Sequence, residues 1–81
     1  MYKNKSEDGL NNICGAKVRR YRLAMPQKTS QRKLADLLQV EGLDLDKNAI
    51  QRIESGSRFV TDIEIKMIAQ VLGVSYQDLL D

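Results

Sequence analysis

The chain has 81 residues, which allows one small domain with a modest hydrophobic core. It has one cysteine and no histidine, so an internal disulfide and a Cys/His metal site are excluded, and we expect neither a metal nor a cofactor. No apolar run approaches the ~18 residues of a membrane span. The first residues, MYKNKSEDG, lack the apolar core of a signal peptide, so we expect a cytoplasmic protein.

Charge is distributed unevenly along the chain, although the formal net charge is only +2. Residues 9–60 carry ten basic and five acidic side chains, whereas residues 61–81 carry one and four. No acid occurs between Gly9 and Ala35, a stretch that is rich in Lys and Arg. This pattern predicts a basic face and an acidic back. Solvated helix charges on a protein that never touches nucleic acid would give the same pattern.

The N-terminal part predicts an arm followed by a helix. Residues 1–11 are polar and have no periodic apolar pattern, which predicts a flexible arm. A first helix is predicted over residues 12–24, with Asn12 as its N-cap and Pro26 beyond its end. Cys14 in this helix is interpreted as a small apolar filler of the core edge. The residues predicted to face inward are Ile13, Ala16, Val18 and Tyr21.

A second helix, QRKLADLLQV, is predicted after Ser30, which can act as its N-cap. Its inward-facing residues are predicted to be Leu34, Ala35, Leu37 and Leu38. Its first turn contains Arg32 and Lys33, although the helix macrodipole favours anions at this end. A bound phosphate would offset that repulsion, because helix N-termini bind phosphates readily. Solvent screening explains these two cations equally well.

A third helix is predicted from Lys47 to Ser55, with Asp46 as N-cap and Gly56 as a left-handed stop. One face is a narrow apolar seam made by Ala49, Ile50 and Ile53. The other face is polar and carries Lys47, Asn48, Gln51, Arg52 and Ser55. In a major groove, Arg or Lys suits guanine and Asn or Gln suits adenine. An ordinary solvated helix face is the alternative interpretation.

Two more helices are predicted after this one. Thr61 and Glu64 form a capping box before a helix that ends at Gly73, and Ser75 with Asp78 repeats the device before a short fifth helix. Hydrophobic staples accompany three of the helix starts, as the pairs Leu45/Ile50, Val60/Ile65 and Val74/Leu79. The predicted fold is therefore all-α, a compact five-helix domain over residues 12–81.

A family resemblance is carried by SQRKLADLL, IQRIESG and VTDIEIKMIAQVLGVSYQDLL. Together these segments resemble the lambda-repressor-like family, the phage-repressor and Cro type of helix-turn-helix domain. The resemblance covers roughly residues 13–80. In this family the second and third helices form the motif, and the third enters the major groove. The resemblance therefore implies a sequence-specific, double-stranded DNA-binding transcriptional regulator of the repressor kind.

The resemblance also implies roles for individual residues. Base reading falls to four residues of the third helix, namely Lys47, Asn48, Gln51 and Arg52. Phosphate contact falls to Gln31 at the start of the second helix and to Ser57 and Arg58 after the third. Lys28 and Arg32 lie beside Gln31 as cations, so we expect them to contact phosphate as well.

The resemblance also assigns a role to two further positions, and the chain departs from the family in the length of a connection. Arg22 and Glu54 fall where the family often has a salt bridge between its first and third helices. The connection between the second and third helices, QVEGLDLD, is longer than the roughly 3 to 4 residues usual for the motif. Either the second helix continues for about a turn, to about Glu41, or a true loop forms around Gly42.

The expected partner is DNA, bound by a homodimer on a pseudo-palindromic operator, because one helix reads only a few base pairs. No small-molecule effector is evident. The alternative is a protein-interaction module on the same fold, such as an antitoxin or adaptor. We do not expect an enzyme, because the chain has no histidine and no base accompanies Cys14 in the sequence.

Overall fold

The computed structural model of the protein describes residues 9–81. This part of the chain contains five α-helices and no strand: α1 (Gly15–Leu23), α2 (Gln31–Val40), α3 (Lys47–Ser55), α4 (Asp62–Leu72) and α5 (Tyr76–Leu80). α3 packs against α1 and α2, whereas α5 packs against α1 and α4. The predicted all-α, five-helix fold is confirmed. Residues 1–8 of the predicted arm lie outside the described residues.

A single apolar core joins the five helices. Its largest fully buried side chains are Val18, Leu34, Leu38, Ile50, Ile53, Ile68 and Leu79. Burying a side chain of this size contributes roughly 1.5–3 kcal/mol. Every helix supplies at least one of these residues, so removing any helix would open the core.

The starts of α2, α3, α4 and α5 are fixed by side-chain caps, as predicted. Ser30 Oγ accepts from the Lys33 N–H at 3.0 Å, and Asp46 Oδ1 accepts from the Ala49 N–H at 2.8 Å. Complete capping boxes open the other two helices, Thr61 with Glu64 and Ser75 with Asp78. An N-cap contributes about 0.5–2 kcal/mol, so these local interactions determine where each helix begins.

The predicted start of α1 is wrong. The helix begins at Gly15 after Cys14, and Asn12 is not its N-cap. Asn12 Oδ1 does accept from the Gly15 N–H at 2.8 Å, but the Asn12 amide group donates to carbonyls at the end of α3 and in the following loop. Those distant bonds hold residues 12–14 outside the helix, so the predicted span 12–24 shortens to Gly15–Leu23.

The inward face of α1 also differs from the prediction. Ile13 is 58% exposed and Ala16 is exposed, whereas Val18 is buried as predicted and Cys14 and Arg22 are buried with it. Gly15 explains this orientation, because a side chain at that position would overlap the Ile53 carbonyl oxygen. The interpretation of Cys14 as an apolar core residue is confirmed, and burial raises the pKa of its thiol.

The connection between α2 and α3 combines the two predicted alternatives. α2 continues to Val40 with Glu41 as C-cap, and a loop follows. Gly42 has a φ of 96°, and the N–H groups of Gly42 and Leu43 donate back into the end of α2 at 3.0 and 2.9 Å. This is a Schellman motif, which ends a helix sharply. Leu45 is buried in the core just before the Asp46 cap, so the long connection still fixes the start of α3.

Candidate nucleic-acid interface

The outer face of α3 presents the four residues predicted to read bases, Lys47, Asn48, Gln51 and Arg52. All four are exposed, and none makes a side-chain hydrogen bond or ion pair within residues 9–81. Residues three and four positions apart on a helix are neighbours, which places Gln51 beside Lys47 and Asn48, and Arg52 beside Asn48. The face therefore carries hydrogen-bond donors and acceptors that no other described residue uses.

The inner face of α3 is fixed to α1 by the predicted salt bridge between Arg22 and Glu54. Arg22 Nε donates to Glu54 Oε2 at 2.7 Å and Nη2 donates to Oε1 at 3.0 Å, so the pair is bidentate. The side chains are only 8% and 3% exposed. Arg22 Nη1 donates further to the Thr29 carbonyl at 2.9 Å, which ties the α1–α2 connector to the same group.

Gln31 shares this buried carboxylate. Its Nε2 donates to Glu54 Oε1 at 3.1 Å, so the first residue of α2 is linked directly to α3. Gln31 is half-buried, and one N–H of its amide is committed to that bond. The second N–H and the carbonyl oxygen remain for a ligand.

The start of α2 concentrates positive charge, as the sequence predicts. Lys28, Arg32 and Lys33 are exposed, and none has an ion-pair partner in the described part of the chain. Ser30 satisfies the backbone N–H of Lys33. The N–H groups of Gln31 and Arg32 have no partner among residues 9–81, as is usual for the first turn of a helix. Cationic side chains and free N–H donors therefore lie together at the N-terminal end of α2, which attracts anions.

Arg58, which the resemblance predicts to contact phosphate, forms an ion pair with Glu64. Its Nη1 and Nη2 donate to the two Glu64 carboxylate oxygens, each at 2.9 Å, and Nη1 also donates to the Phe59 carbonyl at 3.0 Å. The Arg58 guanidinium lowers the pKa of the Glu64 carboxyl, and the carboxylate raises the pKa of Arg58. Ser57 beside it is exposed, with its Oγ 3.3 Å from the Arg52 carbonyl oxygen.

Asn11 and Asn12 hold the loop after α3, a role that sequence reasoning did not identify. Asn11 donates from its N–H to the Gly56 carbonyl at 2.8 Å and from Nδ2 to the Ser57 carbonyl at 2.9 Å. Asn12 Nδ2 donates to the Arg58 carbonyl at 2.7 Å and to the last turn of α3 at 3.1 Å. We call Asn11 and Asn12 the asparagine clamp. Two asparagines before a helix indicate a cap, and nothing in the sequence points to bonds across more than 40 positions.

The helix-turn-helix family model matches residues 18–79, a span that contains α2, α3 and the connection between them. The chain therefore belongs to the helix-turn-helix family, in its lambda-repressor-like, phage-repressor and Cro type. Members of this family are DNA-binding transcription regulators. Comparisons with curated proteins and with solved structures gave no significant match. None of the helices in residues 9–81 is long and apolar enough to cross a membrane.

Proposed function

We propose that this protein is a sequence-specific, double-stranded DNA-binding repressor that acts in the cytoplasm, with α3 in the major groove. The observation that carries the proposal is the outer face of α3, where Lys47, Asn48, Gln51 and Arg52 are exposed and unpaired. Arg and Lys can donate to guanine O6 and N7, and Asn and Gln can bond adenine N6 and N7. Because the inner face of α3 is packed in the fold, the helix backbone is already ordered and only these side chains lose freedom on binding.

Phosphate contacts on either side of α3 would set its position in the groove. Gln31, Lys28 and Arg32 lie at the start of α2, and Ser57 and Arg58 follow the end of α3. Contacts of this kind carry no sequence information but fix the register of the protein on the duplex. The cations Lys28 and Arg32 would also make affinity depend strongly on salt, because each neutralised phosphate releases counterions.

We propose that the DNA-bound form is a homodimer, joined at the exposed groove between α4 and α5. The groove is lined by Asp62, Ile63, Ile65, Lys66, Tyr76 and Leu80. Ile63 and Tyr76 are exposed large apolar side chains, and Asp62 and Lys66 have no ion-pair partner among the described residues. A two-fold axis would pair each acid with the partner's base and cover the apolar centre. The groove lies on α4 and α5, and α3 packs on α1 and α2, so docking there leaves α3 free.

Selection of bound sites from random-sequence DNA tests the proposal. Binding at about 50 mM salt, with selected sites that contain inverted half-sites about one helical turn apart, is the expected result. A single short asymmetric motif would contradict the homodimer. Ile63→Glu should weaken self-association in sedimentation while half-site binding persists, and unchanged association would exclude this groove as the interface.

The second candidate function is a protein-interaction module such as an antitoxin or adaptor. The same exposed apolar groove favours it, because apolar patches mark interaction surfaces. Absence of any DNA binding at about 50 mM salt would make this candidate the better one.

A further inference from the structure

The loop of residues 56–58 follows the C-terminus of α3, which is an unfavourable place for an anion. Unpaired carbonyls at this end carry negative partial charge and would repel a phosphate. In this protein the asparagine clamp bonds one carbonyl of the last turn of α3 and three carbonyls of the loop that follows. The carbonyls of Ile53, Gly56, Ser57 and Arg58 each accept a hydrogen bond from Asn11 or Asn12.

The clamp also determines the direction of the loop peptides. The carbonyl and the N–H of a trans peptide point in opposite directions. Because the Ser57 carbonyl points at Asn11 Nδ2, the N–H of Arg58 points away from the clamp. That N–H has no hydrogen-bond partner among residues 9–81, whereas the N–H of Ser57 is bonded to the Arg52 carbonyl at 3.0 Å.

The Arg58 side chain is less available to a phosphate than the Arg58 main-chain N–H. Its guanidinium is held in a bidentate bond to Glu64 and makes a further bond to the Phe59 carbonyl. A phosphate would have to compete with a carboxylate that is already paired. The main-chain N–H of Arg58 has no such competitor.

One atom of the Asn11 side chain is unfavourably placed in the folded state. Its Oδ1 is buried and has no hydrogen-bond partner in the described part of the chain. Buried polar atoms without partners are rare in proteins because they destabilise the fold. The one bond that depends on the asparagine side chain is the 2.9 Å bond from Nδ2 to the Ser57 carbonyl, because the bond to the Gly56 carbonyl is made by the main chain.

We propose that Asn11 and Asn12 are positioning residues, which aim the main-chain N–H of Arg58 at one phosphate of the DNA backbone. The Arg58 guanidinium then serves the fold through Glu64 and does not neutralise phosphate. The inference rests on the proposed DNA-binding function and adds a contact through a neutral donor to the charged ones at α2. Two sites would thus hold α3 on the DNA backbone, namely the cations at the start of α2 and the main-chain N–H of Arg58 after α3.

A phosphate-neutralisation scan tests the positioning role. Each phosphate of the selected site is replaced in turn by a methylphosphonate, and binding of the wild type and of Asn11→Ala is measured at a temperature where both are folded. In the wild type, apart from the phosphates contacted by the start of α2, one further phosphate per half-site should cost about tenfold in affinity when replaced, the loss typical of a hydrogen bond to a charged group. In Asn11→Ala the cost at that phosphate alone should fall below about twofold.

The control variant is Gln70→Ala, which removes an exposed amide on α4 and should leave the scan unchanged. A merely structural role for Asn11 would lower the melting temperature and leave every phosphate cost as in the wild type. That result would overturn the inference. Asn12→Ala removes more bonds and should lower the melting temperature further, so Asn11→Ala is the informative variant.

A second arm separates the N–H from the guanidinium. Arg58→Met keeps the main-chain N–H and removes the charge, so the slope of log K against log salt should stay as in the wild type while the melting temperature falls. A slope smaller by about 1 would show that the guanidinium neutralises a phosphate and would overturn the assignment. If the wild type bound no DNA at all, the proposed function would fail instead, and the scan distinguishes the two failures.

Discussion

The two faces of α3 differ in how completely their side chains are used within the fold. On the inner face, Ile50 and Ile53 are fully buried and Glu54 accepts three side-chain hydrogen bonds, two from Arg22 and one from Gln31. On the outer face, residues 47, 48, 51 and 52 make no side-chain bond to any described residue. The contacts of the inner face therefore stabilise the fold, whereas the side chains of the outer face are available to a ligand.

The difference has a direct experimental meaning. Substitutions on the inner face should lower stability and affect DNA binding only through loss of folded protein. Substitutions on the outer face should leave the melting temperature unchanged and affect DNA binding alone. A variant that behaves otherwise would show that the two faces are not separate.

The largest effect is expected for Glu54→Ala, on the inner face. Removing one partner of a buried ion pair costs about 3–5 kcal/mol, because Arg22 and Gln31 lose their acceptor. Thermal unfolding should show a marked decrease in melting temperature. Glu41→Ala removes an exposed glutamate at the end of α2 and should melt like the wild type. If Glu54→Ala also melted like the wild type, the pair would not be what holds α1 to α3.

The sequence is a good guide to where the helices begin, because local rules determine helix caps. Caps at Ser30, Asp46, Thr61 and Ser75 were all predictable from residue type, and each is confirmed. The pairing of Arg22 with Glu54 came from the family resemblance and is also confirmed. Each of these features needs only neighbours in the sequence or a known family position.

What the sequence does not predict is the second contact of a side chain that has two uses. Asn12 was interpreted as a cap of α1, but its amide group bonds to a loop more than 40 positions away. Glu64 was interpreted as part of a capping box, and it also binds Arg58. A local pattern explains such a residue completely, so nothing remains in the sequence to indicate the second contact. The roles given to the outer face of α3 remain predictions.

The next largest effect is expected on the outer face itself. Asn48→Ala or Arg52→Ala should cost about 1–3 kcal/mol of binding free energy on the preferred site and relax discrimination at one base pair. The melting temperature should not change, because neither side chain has a partner in residues 9–81. Titration against the selected site and its single-base variants measures both effects, with Gln77→Ala on α5 as the control. Equal losses on all sequences would contradict base reading.

A smaller effect is expected for Arg32→Ala at the start of α2. Arg32 is exposed in the first turn, where it can reach only the DNA backbone in the proposed geometry. Specific and non-specific binding should weaken together, and the slope of log K against log salt should decrease by about 1. Asn48→Ala removes no charge and should keep the wild-type slope. A change of sequence preference in Arg32→Ala would instead place α2 in the groove.

The smallest effect concerns Glu64, whose ion pair with Arg58 is less buried than the pair on α3. The side chains are 29% and 11% exposed, compared with 8% and 3% for Arg22 and Glu54. Arg58 lowers the pKa of Glu64 in the folded protein, because it binds the ionised carboxylate of Glu64 more strongly than the protonated carboxyl. Its stabilisation is present above the unfolded pKa of about 4.3 and is lost as pH falls through the lower folded value.

Glu64→Gln isolates this charge, since glutamine can still accept from the Thr61 N–H in the capping box. Urea unfolding gives the free energy of unfolding of the wild type and of Glu64→Gln at neutral and at acid pH. The decrease from neutral to acid pH should be smaller in Glu64→Gln than in the wild type by roughly 0.5–1 kcal/mol, as expected for a partly exposed pair. Equal losses would mean that the Arg58 guanidinium is not committed to Glu64. It would then be free to bind phosphate, and the division between a structural and a DNA-binding use of this loop would have to be redrawn.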